Sequence, residues 1–109
     1  MAKVIAVDFD GTLHSGEWPE IGPARDIVLC RALHEQNNGA KLILWTCRAG
    51  AQLAEAVAWC RERGLEFDAV NENLPEHVAL FGGDTRKVFA HEYWEDKALC
   101  VRALEGGKI

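Results

Sequence analysis

Val4-Ile5-Ala6-Val7-Asp8-Phe9-Asp10-Gly11-Thr12 decides how this chain is read. Four apolar residues run straight into two carboxylates one residue apart, followed by Gly-Thr. A short apolar run of this kind predicts a fully buried strand. In an open parallel sheet, ligands bind at the carboxyl ends of the strands. Asp8 and Asp10 are therefore expected to project into a crevice. Two like charges about 4 Å apart repel by about 4 kcal/mol at an effective dielectric near 20. A chain that keeps both is expected to hold a cation beside them.

Outward from that strand, apolar runs alternate with helical patterns. The loop 12–22 contains Gly16, Pro19 and Gly22, and Pro23 suits a first helical position. Ile27, Leu29 or Cys30, and Leu33 form a helical stripe that stops before Asn37-Asn38-Gly39. Residues 41–46 read as a second strand. Leu53, Val57 and Cys60 lie on one face of a helix from Ala51 to Arg63, closed by Gly64. A third strand is expected from Phe67 to Val70, and one or two helical turns from Pro75 to Leu80. A turn follows at Phe81-Gly82-Gly83-Asp84. A fourth strand is expected over 88–94, a closing helix from Leu99 to Leu104, and a loose tail at 106–109.

Alternating strands and helices imply an α/β fold with a mainly parallel sheet and right-handed crossovers. The order 3-2-1-4 puts the first and fourth strands side by side at a topological switch point, where a crevice opens. That arrangement would gather Asp8, Asp10, Glu95 and Asp96, which are distant in sequence.

At 109 residues the chain is expected to form a single domain, 1–109. The net charge of −5 argues against nonspecific affinity for nucleic acid or membranes. No apolar stretch has the length of a membrane span. Met1-Ala2-Lys3 leads directly into the first strand and leaves no room for a signal peptide, so a cytoplasmic location is expected. Cys30, Cys47, Cys60 and Cys100 have no paired spacing and read as reduced, mostly buried thiols. His14, His34, His77 and His91 show no metal-ligand spacing, although His14 lies near the acidic pair. Trp18, in a loop, is the tryptophan best placed for contact with a ligand or partner.

Three further segments occur in a telling order. Leu42-Ile43-Leu44-Trp45-Thr46-Cys47-Arg48 is an apolar run closed by a hydroxyl residue. Thr85-Arg86-Lys87 places a lysine ahead of the fourth strand, with Arg86 as its competitor, and Glu95-Asp96 is an acidic pair just after it. With Asp8-x-Asp10-x-Thr12, the set resembles the four signatures of the haloacid dehalogenase (HAD) superfamily, over residues 4 to about 100. It is most similar to the small capless members of bacterial or phage type. Glu-Asp stands where that superfamily commonly has Asp-Asp.

The resemblance implies a three-layer Rossmann-like core without a cap domain. It also implies a Mg²⁺-dependent phosphomonoesterase working through an aspartyl-phosphate on Asp8. Asp10 would be the acid and base, with a pKa above the free value. Thr46 and Lys87 would complete the catalytic set. The implied phosphate contacts are Phe9, Asp10, Thr46, Cys47, Arg48 and Lys87. The implied metal ligands are Asp8, Asp10, Glu95 and Asp96, with the Asp10 backbone carbonyl in the shell. The partner is a phosphorylated substrate. A nucleic-acid end would suit a capless site but has no support from the charge, and the oligomeric state is open. The alternative is a non-catalytic HAD-like protein that binds a phosphorylated ligand or partner. A CheY-like receiver fits less well, because its acids are adjacent after the first strand and its phospho-acceptor follows the third.

Overall fold

The computed structural model describes residues 2–106. Strands β1 (Val4–Val7), β2 (Lys41–Leu44), β3 (Ala69–Val70) and β4 (Glu92–Trp94) form one sheet in the order β3-β2-β1-β4. All three pairings are parallel, with Val7 opposite both Leu44 and Trp94. Helices α1 (Asp26–Asn37), α2 (Gly50–Glu62), α3 (Pro75–Phe81) and α4 (Val101–Gly106) complete the order. Among the described residues no cap domain covers the sheet, and no helix is long and apolar enough to cross a membrane.

Both faces of β1 are buried, as a central parallel strand requires. Side chains alternate between the faces. Ile5, Val7, Leu42 and Leu44 pack with Leu29 and Ala32 of α1 and with Ala56 and Cys60 of α2. Val4, Ala6 and Ile43 pack on the other face with Leu74, Val88 and Ala90. Helices α1 and α2 pack over one face, and residues of the return from β3 to β4 cover the other. Burial pushes the Cys60 thiol up to about 12, which leaves it an inert packing group. Cys30, Cys47 and Cys100 are exposed, contrary to the expectation of mostly buried thiols.

Several elements are shorter or later than the sequence predicts, because loop backbone or side chains take over the bonds that would extend them. Helix α1 starts at Asp26 and not at Pro23. The Pro23 carbonyl accepts from Ser15 N–H (3.0 Å), and Arg25 N–H donates to the Leu13 carbonyl (2.8 Å). Strand β2 ends at Leu44 because Thr46 N–H turns to Asn71 Oδ1 (2.8 Å). Asn71 adopts a left-handed φ of 54°, which asparagine tolerates better than most residues. Residues 88–91 do not join β4. Phe89 N–H donates to Asn73 Oδ1 (2.7 Å), and Ala90 N–H to the Tyr93 hydroxyl (3.2 Å). Polar Glu92 is tolerated in the strand because Lys3 Nζ (2.8 Å) and Trp94 Nε1 (2.9 Å) bind its carboxylate. The closing helix lies two residues later than expected and includes Gly106, while 107–109 of the expected tail fall outside the described residues.

Candidate active site

The carboxyl end of β1 is tied to that of β4 by Asp8 N–H, which donates to the Trp94 carbonyl (2.9 Å). This bond sets Asp8 beside Glu95 and Asp96. The half-buried Asp8 carboxyl is held above the ordinary carboxylate range, first by burial. The Phe9 N–H opposes that rise, while the charges of Asp10, Asp96 and Glu95 add to it. Gly11 has a φ of +80°, and a Cβ there would collide with the Asp96 carboxylate. The acidic convergence thus depends on a glycine at position 11, both for its backbone and for the space it leaves.

Asp10 is in the opposite state. Arg48 forks its carboxylate, Nε to Oδ2 at 2.9 Å and Nη2 to Oδ1 at 2.8 Å. Arg48 is itself only 3% exposed, and its Nη2 also donates to the Pro19 carbonyl (3.0 Å). Its guanidinium carbon stands 5.0 Å from the centre of the Phe9 ring. Buried His14 reaches Asp10 Oδ1 through Nε2 at 2.9 Å. His14 Nδ1 accepts from the N–H groups of Gly16 (2.9 Å) and Gly22 (3.1 Å), so the ring proton sits on Nε2 and is donated to Asp10. Burial works against the Asp10 charge, but the bonds from Arg48 and then His14 outweigh it and hold the carboxyl below its ordinary value. The expectation of a raised Asp10 pKa is therefore overturned. Arg48 likewise directs its fork at Asp10 and not at an open phosphate position.

Asp8, Asp10, Trp18, Thr46, Cys47, Arg48, Ala49, Gln52 and Lys97 line one cavity of about 490 Å³. Thr46 Oγ1 accepts from Arg48 N–H (3.1 Å), and a hydroxyl that accepts retains its own proton to donate. Phe9 is fully buried, and its N–H is directed at the Asp8 carboxylate. Lys87 is not at this cavity. Its ammonium lies 5.2 Å from the centre of the Tyr93 ring, and Lys97 is the lysine that lines the site. The signal for Lys97 was its position directly after Glu95-Asp96, on the chain leaving β4. His14 was also undervalued, although it stands one helical turn's spacing from Asp10. Glu95 and Asp96, expected in one crevice with Asp8 and Asp10, line instead a second cavity of about 650 Å³ together with Gly11, Thr12, Arg25 and Arg31.

Among the described residues, no three His, Cys, Asp or Glu side chains are grouped to hold a metal. The expected set of four carboxylates does not form, because Asp10 turns its side chain to Arg48 and His14. Mg²⁺, however, keeps several waters and needs only one or two carboxylates. Asp8 and Asp96 offer hard oxygen donors close enough for the Asp96 charge to raise the Asp8 carboxyl, and neither carboxylate forms an ion pair with a described cation. That donor set fits the ion.

No family model matches the chain, and no curated protein matches it. A solved structure of a conserved protein from Bacteroides thetaiotaomicron shares 34% identity over 100% of this chain and 94% of that one, with a TM-score of 0.79. Similarity of that extent and identity runs through the whole sheet and the loops at its carboxyl edge, and the chain belongs to the same family as that Bacteroides thetaiotaomicron protein.

Proposed function

We propose that the chain is a Mg²⁺-dependent phosphomonoesterase of the HAD type, acting through Asp8. One observation carries this reading. Asp8 is a carboxylate set at a strand's carboxyl end, raised by burial and by three acids, with no ion pair to a cation among the described residues, and it opens on a cavity shared with Thr46 and Lys97. A partly desolvated, unpaired carboxylate is suited to attack phosphorus. Asp8 Oδ would form a bond to phosphorus as the ester P–O bond breaks and the alkoxide departs, to be protonated by solvent water or by Asp10 once it holds a proton. Water would then attack the same phosphorus, releasing phosphate and restoring Asp8.

Thr46 and Lys97 would donate to the phosphoryl oxygens, where charge must be balanced. Mg²⁺ held by Asp8, Asp96 and the Asp10 carbonyl would supply charge neutralisation at the carboxylates and the phosphoryl group. Asp10 begins ionised, which suits it to take the proton of the hydrolytic water. That proton is then available for the next departing alkoxide. Esters of acidic alcohols such as p-nitrophenol need no such proton.

The test is release of free phosphate from a panel of phosphomonoesters in Mg²⁺. The fork that locks Asp10 favours the alternative of a non-catalytic binder of phosphorylated ligands. Saturable binding without turnover across the panel would select that alternative.

Mg²⁺ is expected to raise the melting temperature. A folded-state pKa above the unfolded value means that the Asp8 anion costs stability at neutral pH, and that this cost disappears as pH falls through the folded pKa. A cation bound only by the folded state relieves it. At a hundredfold excess over Kd the gain is about 2.7 kcal/mol, or roughly 10 °C for a domain of this size. Differential scanning fluorimetry with and without millimolar Mg²⁺ measures it, and superimposable curves would rule out the metal site.

A further inference from the structure

Trp18 lines the same cavity as Asp8 and Asp10, yet it is 63% exposed. Tryptophan combines a large apolar ring with a polar N–H and is enriched where proteins bind partners. Its loop is not loose. Gly16 and Gly22 pack so closely that a Cβ on either would overlap the other's backbone. Buried His14 accepts both of their N–H groups, and buried Arg48 holds the Pro19 carbonyl (3.0 Å). The two side chains that clamp Asp10 therefore also clamp the loop carrying Trp18, so platform and reacting centre share one rigid support.

We propose that Trp18 is a stacking platform, and that the phosphate ester taken by this site carries a planar aromatic ring, as a nucleoside 5′-monophosphate does. This rests on the phosphohydrolase reading above and names its substrate class. Asp8 is half-buried, Trp18 is exposed, and both line one cavity, so a phosphoryl group at Asp8 and a ring stacked on Trp18 can belong to one ligand. A cavity of about 490 Å³ is within the range that encloses ligands of this size. Stacking tolerates any base, because every base has a π-face.

Binding is measured by calorimetry in Mg²⁺ on an Asp8→Asn protein, which leaves the ester intact. The probes are adenosine 5′-monophosphate and ribose 5-phosphate, the same ester without the ring. The nucleotide is expected to bind about tenfold or more tighter than ribose 5-phosphate. Trp18→Ala should erase that ratio and Trp18→Phe should keep most of it. Equal binding of nucleotide and ribose phosphate, a ratio that survives Trp18→Ala, or no binding of the nucleotide overturns the proposal. Phosphate release by the wild-type chain separates the two readings. Turnover without ring preference leaves the hydrolase and removes the platform, whereas Trp18-dependent nucleotide binding without any turnover does the reverse.

Discussion

Asp8→Asn is expected to abolish phosphate release while leaving the fold intact and no less stable. The amide cannot form the bond to phosphorus, so the loss should be on the order of 10³-fold or more, the scale seen when a covalent nucleophile is removed. Release of p-nitrophenol from its phosphate ester is a sensitive readout, since that leaving group needs no proton from Asp10. The stability arm is opposite in sign to the effect of most substitutions in a buried strand end. Burial and the charges of Asp10, Asp96 and Glu95 all disfavour the Asp8 anion in the folded state. An isosteric neutral side chain removes that cost, so the melting temperature at pH 7 should hold or rise in metal-free buffer. Lowering the pH through the wild-type Asp8 titration should bring the two proteins together, because protonated Asp8 no longer carries the charge. Undiminished turnover in this variant would remove Asp8 from the chemistry. Lost turnover together with a large fall in melting temperature would show Asp8 to be structural.

The parts of the site that sequence made legible are those written in runs. Val4–Val7 and Leu42–Leu44 are continuous apolar strands, and the order β3-β2-β1-β4 follows from the handedness of their crossovers. Asp8, Asp10, Thr46 and Arg48 were expected at one edge, and one cavity brings them together. What sequence could not show is which side chain meets which. Arg48 and Asp10 are 38 positions apart, and their fork depends on the angle at which two strand ends face each other. Lys87 and Lys97 sit on either side of β4, and the direction of the chain leaving that strand selects the later one. The length of β4 was overestimated for a related reason. Val88-Phe89-Ala90 is apolar enough for a strand, but Asn73 and the Tyr93 hydroxyl had already taken its backbone N–H groups. No local pattern announces a side chain that will replace a ladder bond.

Arg48→Met is expected to be the most damaging single change to this edge of the sheet. Methionine fills much of the same volume but offers no donors. Four acceptors lose a partner together: both oxygens of Asp10 and the carbonyls of Pro19 and Gln52. Breaking one side of a buried ion pair costs about 3–5 kcal/mol. Because Asp10 keeps 26% exposure and a bond from His14, a loss of about 2–3 kcal/mol is the reasoned figure, roughly 10 °C in melting temperature. The pH dependence distinguishes this cause from lost packing. A carboxyl depressed in the folded state contributes stability that is fully present above its unfolded pKa and is lost as pH falls through the folded pKa. The gap between wild type and Arg48→Met should therefore be widest at neutral pH and shrink under acid, as Asp10 becomes protonated in both. Arg48→Lys, with one point charge in place of a planar fork, should recover only part of it. In a double-mutant cycle, Asp10→Asn should make the Arg48→Met loss much smaller. A gap that stays constant from neutral pH into acid, or strict additivity in that cycle, would show that the guanidinium stabilises this edge by packing alone.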